Sequence, residues 1–242
     1  MPVEIISDYL LAEERHLEHS STAEVLLAES SHRIANNLTL IAGLLHLRGR
    51  EIARAERPLN AEEVCLVLDE AAGRIETAGR LHRLLAQDGG ASSVDLGRYL
   101  HEIAQAAVDS MSRVGDMTLQ PRIDSDCQIH IRQALPVGVI VGELVTNAVK
   151  YAHPARVGGR VEVSCQRRPE GAMLIEVADD GVGLTEGFDP MKGGGLGMRT
   201  IRALARQLGA RLSFVTEGCG LTVRLLLPPQ RPVEVGDETA WA

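Results

Sequence analysis

Two apolar stripes with one shared spacing, cut apart by a proline, constrain this chain more than any other feature. Over residues 20–54, Leu27, Ile34, Leu38, Ile41 and Leu45 fall at intervals of seven, four, three and four. After the break at "ERPLN" (56–60), Val64, Leu68, Ala71, Ile75, Ala78, His82 and Leu85 alternate four and three. Such intervals place side chains on one face of an α-helix. Pro58 stops the first helix, and Asn60 with Glu63 provides a capping-box start for the second. Two antiparallel helices with one stripe each cannot bury both stripes alone. The pattern therefore predicts a homodimer in which two hairpins complete a four-helix bundle.

Composition removes several function classes. Of 242 residues, 45% are hydrophobic, enough for a core, yet no apolar run approaches the roughly 20 residues needed to cross a bilayer, and "LPVGVIVG" runs straight into Glu143. The first fifteen residues have neither a basic start nor a cleavage site, so a cytoplasmic protein is expected, with no membrane partner. A formal charge of -8, no basic run and 2% aromatics argue against a nucleic-acid partner. Cys65, Cys127, Cys165 and Cys219 lie far apart with no C-x-x-C pair, which argues against a zinc site or a disulfide framework and predicts small buried hydrophobes.

"QDGGASS" (87–93) reads as a linker, and beyond it the pattern turns mixed. Helices are expected over about 95–112, 133–152 and 196–208, and strands at "MTLQPRI", "CQIHI", "RVEVSCQ", "MLIEVA", "RLSFVT" and "LTVRLLLP". Helices layered on a mixed sheet make the fold class α+β, a helical hairpin followed by an α/β sandwich. The division expected is an N-terminal helical extension over 1–20, a dimerisation and histidine-bearing unit over 21–88, a ligand-binding unit over 94–228 and a polar, proline-containing flexible tail over 229–242.

Four clusters carry chemistry. His32, in "AESSHRIANNLTLIAG" (28–43), lies about 180–240° around its helix from Ile34, Leu38, Ile41 and Leu45, so it points away from the stripe with Glu29 and Asn36 on its own face. A neutral imidazole there can act as nucleophile or base, although a surface histidine is the plainer reading. In "GELVTNAVKYA" (142–152), Val137, Ile140, Val141, Leu144, Ala148 and Tyr151 form a stripe toward the sheet. Glu143, Asn147 and Lys150 recur opposite, a set suited to Mg²⁺ and phosphates or simply a solvated face. "IEVADDGVGL" (175–184) ends a strand in Asp179, a candidate acceptor for an exocyclic amine, with Gly181 and Gly183 letting a flat ring approach the backbone; as a turn, D-D-G is common. "KGGGLGMRTI" (192–201) runs glycines into a helix start, a weak anion-site signal by itself. "HLEH" (16–19) and His82 are read as surface and core histidines.

In order and spacing the four clusters, over about residues 25–228, resemble a bacterial two-component histidine kinase. The resemblance is to the subfamily with the "HHR-x-K-N-N-L" phosphoacceptor box, which reads "SHRIANNL" in this chain. "LHRLL" (81–85) and "DLGRYL" (95–100) add to it, and the last three clusters resemble the asparagine and glycine boxes of the ATP-binding fold shared with gyrase, Hsp90 and MutL, the GHKL or Bergerat fold. The resemblance implies ATP and Mg²⁺ as cofactors, His32 as phosphoacceptor, and Arg33, Asn36 and Asn37 at its transfer surface. Asn147 would be the metal ligand, Glu143 and Lys150 would lie beside the phosphates, Asp179 would recognise adenine with Gly181 and Gly183 against it, and Gly195, Leu196, Gly197 and Thr222 would complete the cofactor-binding set. Glu29 is the candidate to orient the histidine, since Arg33 stands where the larger class often has an acid. The phosphoryl group would pass to an aspartate of a response regulator receiver domain.

Departures from the pattern are Ser31 for the first histidine, Ala35 for the lysine, a lid of only "LTEGFDPMK" without a separate aromatic box, and Leu221 after the glycine of "EGCGLTV". About 20 to 25 residues before the hairpin cannot house a sensor, so the expectation is a signal from a separate protein or no input. Alternatives are a phosphotransfer protein with a vestigial ATP domain, and a non-phosphorylating scaffold or phosphatase.

Overall fold

The computed structural model describes residues 38–39, 41–43, 45–46, 49–50, 52–53, 60–87, 93–110, 117–124, 126–154, 158–216 and 219–229. Expectations for "HLEH", Glu29, His32, Arg33, Asn36 and Asn37, and for the tail from 230, lie outside the described residues. The described positions between 38 and 53 are helical, with Ile41 buried and Leu38 and Leu45 exposed.

Helix α1 (Ala61–Gln87) begins directly after Asn60, whose carbonyl accepts the Val64 amide at 3.0 Å. Among the described residues its apolar stripe is left largely uncovered. Val64, Leu68 and Ile75 are 42, 62 and 57% exposed, while Thr77, about 180–220° around the helix from each, is buried. The side chains of Ala78, His82 and Leu85 lie outside the described residues.

Strand β1 (Ser93–Asp95) follows, in a stretch read from sequence as linker and helix start. Three residues are too few to show a period; Val94 is held by burial and by antiparallel pairing with Ile129 in β3 (Gln128–His130). The remaining elements are α2 (Leu96–Ser110), β2 (Met117–Ile123), α3 (Ile131–Tyr151), β4 (Gly159–Arg167), β5 (Met173–Asp179), α4 (Leu196–Gln207), β6 (Arg211–Val215) and β7 (Thr222–Leu227). Five strands form one sheet in the order β2-β4-β5-β7-β6, parallel between β2 and β4 and antiparallel elsewhere.

Alternation along the strands sorts the two faces. Val161, Val163, Cys165, Met173, Ile175, Val177, Val223 and Leu225 are buried in one core with Tyr99, Leu100 and Ile103 of α2, Ile140, Val141 and Leu144 of α3, and Ile201 and Leu204 of α4. The opposite face is polar, with Arg224 paired to Glu176 at 2.6 Å and Arg122 to Glu162 at 3.4 Å. This is the expected α+β sandwich with a helical segment before it.

Two expectations need correction. Tyr151 is 68% exposed and does not join the stripe of α3, because it is the helix's last residue. Of the cysteines only Cys127 and Cys165 are buried; Cys65 and Cys219 are exposed.

The tightest helix contact is α2 on α3. A Cβ at Gly138 would meet the Tyr99 hydroxyl and stand 2.7 Å from Ile103 Cδ1, whereas one at Gly142 would sit 3.4 Å from Ile103 Cγ2. Gly138→Ala should therefore destabilise the fold by about 1–3 kcal/mol through overpacking, while Gly142→Ala should change it by less than about 1 kcal/mol. Urea unfolding of the two variants checks this, and equal effects would contradict the packing described.

Candidate functional site

The polar side of α3 opens onto a cleft of about 1060 Å³, lined along that helix by half-buried Glu143, Asn147 and Lys150. Val177 and Asp179 of β5, Leu221 and Val223 at β7, and the loop from Val182 to Thr185 form the sheet side. Phe188, Gly194, Gly195, Gly197 and Met198 close the far side. Helix α1 adds Ala72, Gly73, Glu76, Thr77 and Arg80.

Asp179 is fixed by backbone. Its Oδ1 accepts the Gly181 amide at 3.0 Å and the Leu221 amide at 3.2 Å, and no hydrogen bond engages Oδ2 among the described residues. Burial pushes the carboxyl above the usual carboxylate range, and the two amides only partly offset this. Asp180 shows the reverse balance. Burial would raise it, but the Arg160 amide at 2.8 Å and the His153 ring at 2.9 Å outweigh that and hold it below the usual range. Two adjacent aspartates thus do different work: Asp180 ties the loop to β4 and the end of α3, and Asp179 presents an acceptor to the cleft.

Glycines set the cleft's edges. Gly183, at φ +72°, would put a Cβ 2.8 Å from Thr216 Cγ2, so the loop can turn only with glycine. Gly195 caps α4, whose start borders the cleft, and the first amides of a helix have no partner within it. A Cβ at Gly197 would stand 2.7 Å from Glu143 Oε2, so this glycine lets the helix start approach the polar face of α3. The arrangement suits a flat ring bearing an amine beside Asp179 and an anionic tail between Asn147, Lys150 and the start of α4.

Of the residues singled out from sequence, Glu143, Asn147, Lys150, Asp179, Gly183, Gly195 and Gly197 line this one cleft. Gly181 does not. It is buried where a Cβ would strike the Ala152 carbonyl, and that carbonyl accepts the Val182 amide at 2.9 Å. Thr222 lies on the other face of β7, since Leu221 and Val223 on either side of it line the cleft. Leu196 begins α4, and its side chain is not among the described ones.

The sequence reading missed the lid's construction. Phe188 lines the cleft although no aromatic box was expected, and its amide donates to the Thr185 carbonyl at 3.0 Å. Asp189 caps the following turn by accepting the Met191 amide at 2.8 Å, and its carbonyl accepts the Gly193 amide at 2.7 Å. From α4, Arg202 Nη1 donates to the Pro190 carbonyl at 2.7 Å and the Gly193 carbonyl at 2.6 Å. The only signal in sequence was a lone phenylalanine in a chain with two. For Arg202 there was none. Arg202→Ala should ease opening of residues 190–194 by about 1.5–3 kcal/mol, the value of one charge-assisted bond lost from a partly exposed site. Amide hydrogen exchange in that segment measures it, and unchanged protection would remove the clamp.

Comparison with known proteins agrees with this geometry. Residues 29–111 match a family model described as histidine kinase, and residues 132–231 one described as histidine kinase-, DNA gyrase B- and HSP90-like ATPase. Blue-light-activated histidine kinase 2 of Erythrobacter litoralis is 28% identical over 217 residues, covering 88% of this chain and 60% of that protein. Sensor histidine kinase PdtaS of Mycobacterium tuberculosis is 30% identical over 194 residues, covering 75% of this chain and 34% of that protein. The chain thus spans about 60% or less of the length of these curated relatives. Among solved structures, the histidine kinase domain of an Erythrobacter litoralis blue-light-activated kinase superposes with a TM-score of 0.64 at 26% identity, covering 87% of this chain and 94% of that one. With a cleft of this chemistry and both family segments matched in order, the chain belongs to the histidine kinases.

Proposed function

We propose that this chain is a histidine protein kinase that phosphorylates His32 from Mg-ATP and passes the phosphoryl group to an aspartate of a response regulator receiver domain. The convergence of Asn147, Lys150, Asp179 and the α4 start on one cleft carries the reading. The division into a histidine-bearing unit over 21–88, an ATP-binding unit over 94–228 and flanking segments over 1–20 and 229–242 belongs to the same reading, as does a cytoplasmic homodimer. Among the described residues, no helix is long and apolar enough to cross a membrane. Dimerisation is supported by the outward stripe of Val64, Leu68 and Ile75, because leaving three such side chains in water forgoes about 1.5–3 kcal/mol each.

In this reading Asp179 Oδ2 accepts from the adenine amine while Oδ1 keeps its two backbone donors. Val177, Leu221 and Val223 flank the ring, and Lys150 and the α4 amides face the phosphates. The Asn147 side chain has no hydrogen bond within the protein among the described residues, so its oxygen is available to a hard cation, which suits Mg²⁺ with Glu143 alongside. Mg²⁺ neutralises charge on the phosphate oxygens. His32 supplies a neutral ring nitrogen whose lone pair forms the N–P bond as the bond from the γ-phosphorus to the bridging oxygen breaks, with ADP leaving. Glu29 orients the ring and Asn36 belongs to its transfer surface.

Incubation of the protein with labelled Mg-ATP should give an acid-labile product that vanishes in His32→Ala and falls about 100-fold or more in Asn147→Ala. Label persisting in His32→Ala would refute the assignment. An unlabelled wild type that instead accepts phosphoryl groups from a phosphorylated receiver would make it a relay protein.

The raised Asp179 pKa gives a second test. A folded pKa above the unfolded one means that the ionised form costs stability at neutral pH, and the cost disappears as pH falls through the folded value. Asp179→Asn keeps an oxygen for the two amides and removes that cost, but turns an NH₂ toward the adenine amine. The variant should be at least as stable as wild type at pH 7, lose this advantage on acidification, and bind ATP tenfold or more weakly. Denaturant titrations at several pH values with nucleotide calorimetry decide; intact ATP affinity would remove Asp179 from adenine recognition.

A further inference from the structure

We propose that Arg80, on hairpin helix α1, is a further nucleotide-binding residue whose guanidinium holds the terminal phosphoryl group of ATP. The inference rests on the proposed ATP function of the cleft and adds a contact from outside the ATP-binding unit.

Ala72, Gly73, Glu76, Thr77 and Arg80 recur on one face of α1, and all five line the cleft that Asn147, Lys150 and Asp179 line. This face is opposite the apolar stripe. Thr77 turns its hydroxyl back to the Gly73 carbonyl at 2.9 Å, so it offers the cleft no donor, and Ala72 and Gly73 leave space. Arg80 is the one cation of α1 among the cleft-lining residues.

Its condition differs from that of other arginines. Arg98, Arg122, Arg167, Arg202 and Arg224 each engage a carboxylate or carbonyl. Arg80 is half-buried, and among the described residues no hydrogen bond or ion pair engages it. A guanidinium partly removed from water without a counter-charge calls for an anion, and its planar fork matches phosphate oxygens. The charged groups sharing the cleft with it are Glu76 one turn before it, Glu143, Lys150 and Asp179; no ion pair joins Arg80 to any of these carboxylates among the described residues, so its fork is open to the terminal phosphates of a nucleotide.

Placement along the hairpin selects which phosphate. Counting outward from Pro58, His32 lies twenty-six residues before the break and Leu84 twenty-six after it. In the antiparallel hairpin expected from the sequence, Arg80 falls within about one helical turn of the phosphoacceptor's level. A cation there meets the group in transfer, whereas the adenine lies on the sheet side with Asp179.

Calorimetry on the full chain with ADP and with a non-hydrolysable ATP analogue, both with Mg²⁺, tests the assignment. Arg80→Gln should weaken the analogue at least tenfold, about 1.4 kcal/mol, and leave ADP within twofold. Arg80→Lys should recover part of the loss, and it serves as the reporter if the glutamine variant does not fold. An analogue affinity unchanged in both variants overturns the proposal, as does an equal loss for ADP and analogue, which would mean that Arg80 only shapes the cleft. A wild type that binds neither nucleotide overturns the ATP reading itself, a result distinct from intact binding with indifferent variants.

Discussion

A carboxylate at the end of a central strand sets the geometry of the whole cleft. β5 is paired on both sides, by β4 and β7, and Asp179 is its last residue. Burial makes its charge costly, so the residue is compatible with the fold only because the amides of Gly181 and Leu221 meet one of its oxygens. Those amides belong to two different loops. Gly220 makes the second approach possible: at φ +91°, it lies so close to the Asp179 carbonyl that no Cβ could be accommodated. Three segments of chain are therefore registered on one side chain, and the orientation of its remaining oxygen follows from them.

Helix α1 faces two environments, and its residues divide accordingly. Toward the sandwich it presents small and polar side chains, which fill little volume and leave the cleft open beside α2 and α3. Away from it lie Val64, Leu68 and Ile75, a row whose burial is left to some other surface. A helix buried on all sides would be apolar all round, and one serving only the sandwich would have its stripe turned inward. Neither holds. The division supports a helix that packs against other helices on one side and borders a ligand on the other.

Element type was legible wherever the apolar period ran long enough. The 3.6-residue period of α3 and the alternation in β4, β5 and β7 were read to within a residue or two at their ends, because each buries one face against a common core. β1 was not legible, since three residues carry no period and its partner Ile129 is distant in sequence. Glu143, Asn147, Lys150 and Asp179, which share the cleft, could be singled out as candidates because their types and spacing bear chemistry directly. Gly181 was assigned to a ligand, yet it is glycine because of the Ala152 carbonyl, a constraint visible only in three dimensions. Thr222 lies off the cleft through a single-residue parity: in a strand, the neighbour of a cleft residue points the other way. Arg80 and Arg202 were overlooked because an arginine on a helix usually faces water, and nothing in one dimension separates the exceptions.

The lid shows how a short loop can be ordered without a core of its own. Residues 184–192 bury little, and most bonds in the segment are local, from Phe188 to Thr185 and from residues 191–193 back to Asp189. Local bonds fix the loop's shape but not its position over the cleft. Position comes from Arg202, whose two bonds reach both ends of the final turn from α4, the same helix whose start borders the cleft. The lid and the helix start must then move together, or the fork must break. Since α4 is anchored by fully buried Ile201 and by Leu204, the second route is the less costly one. The position of residues 190–193 beside the cleft accordingly rests on one arginine and two carbonyls.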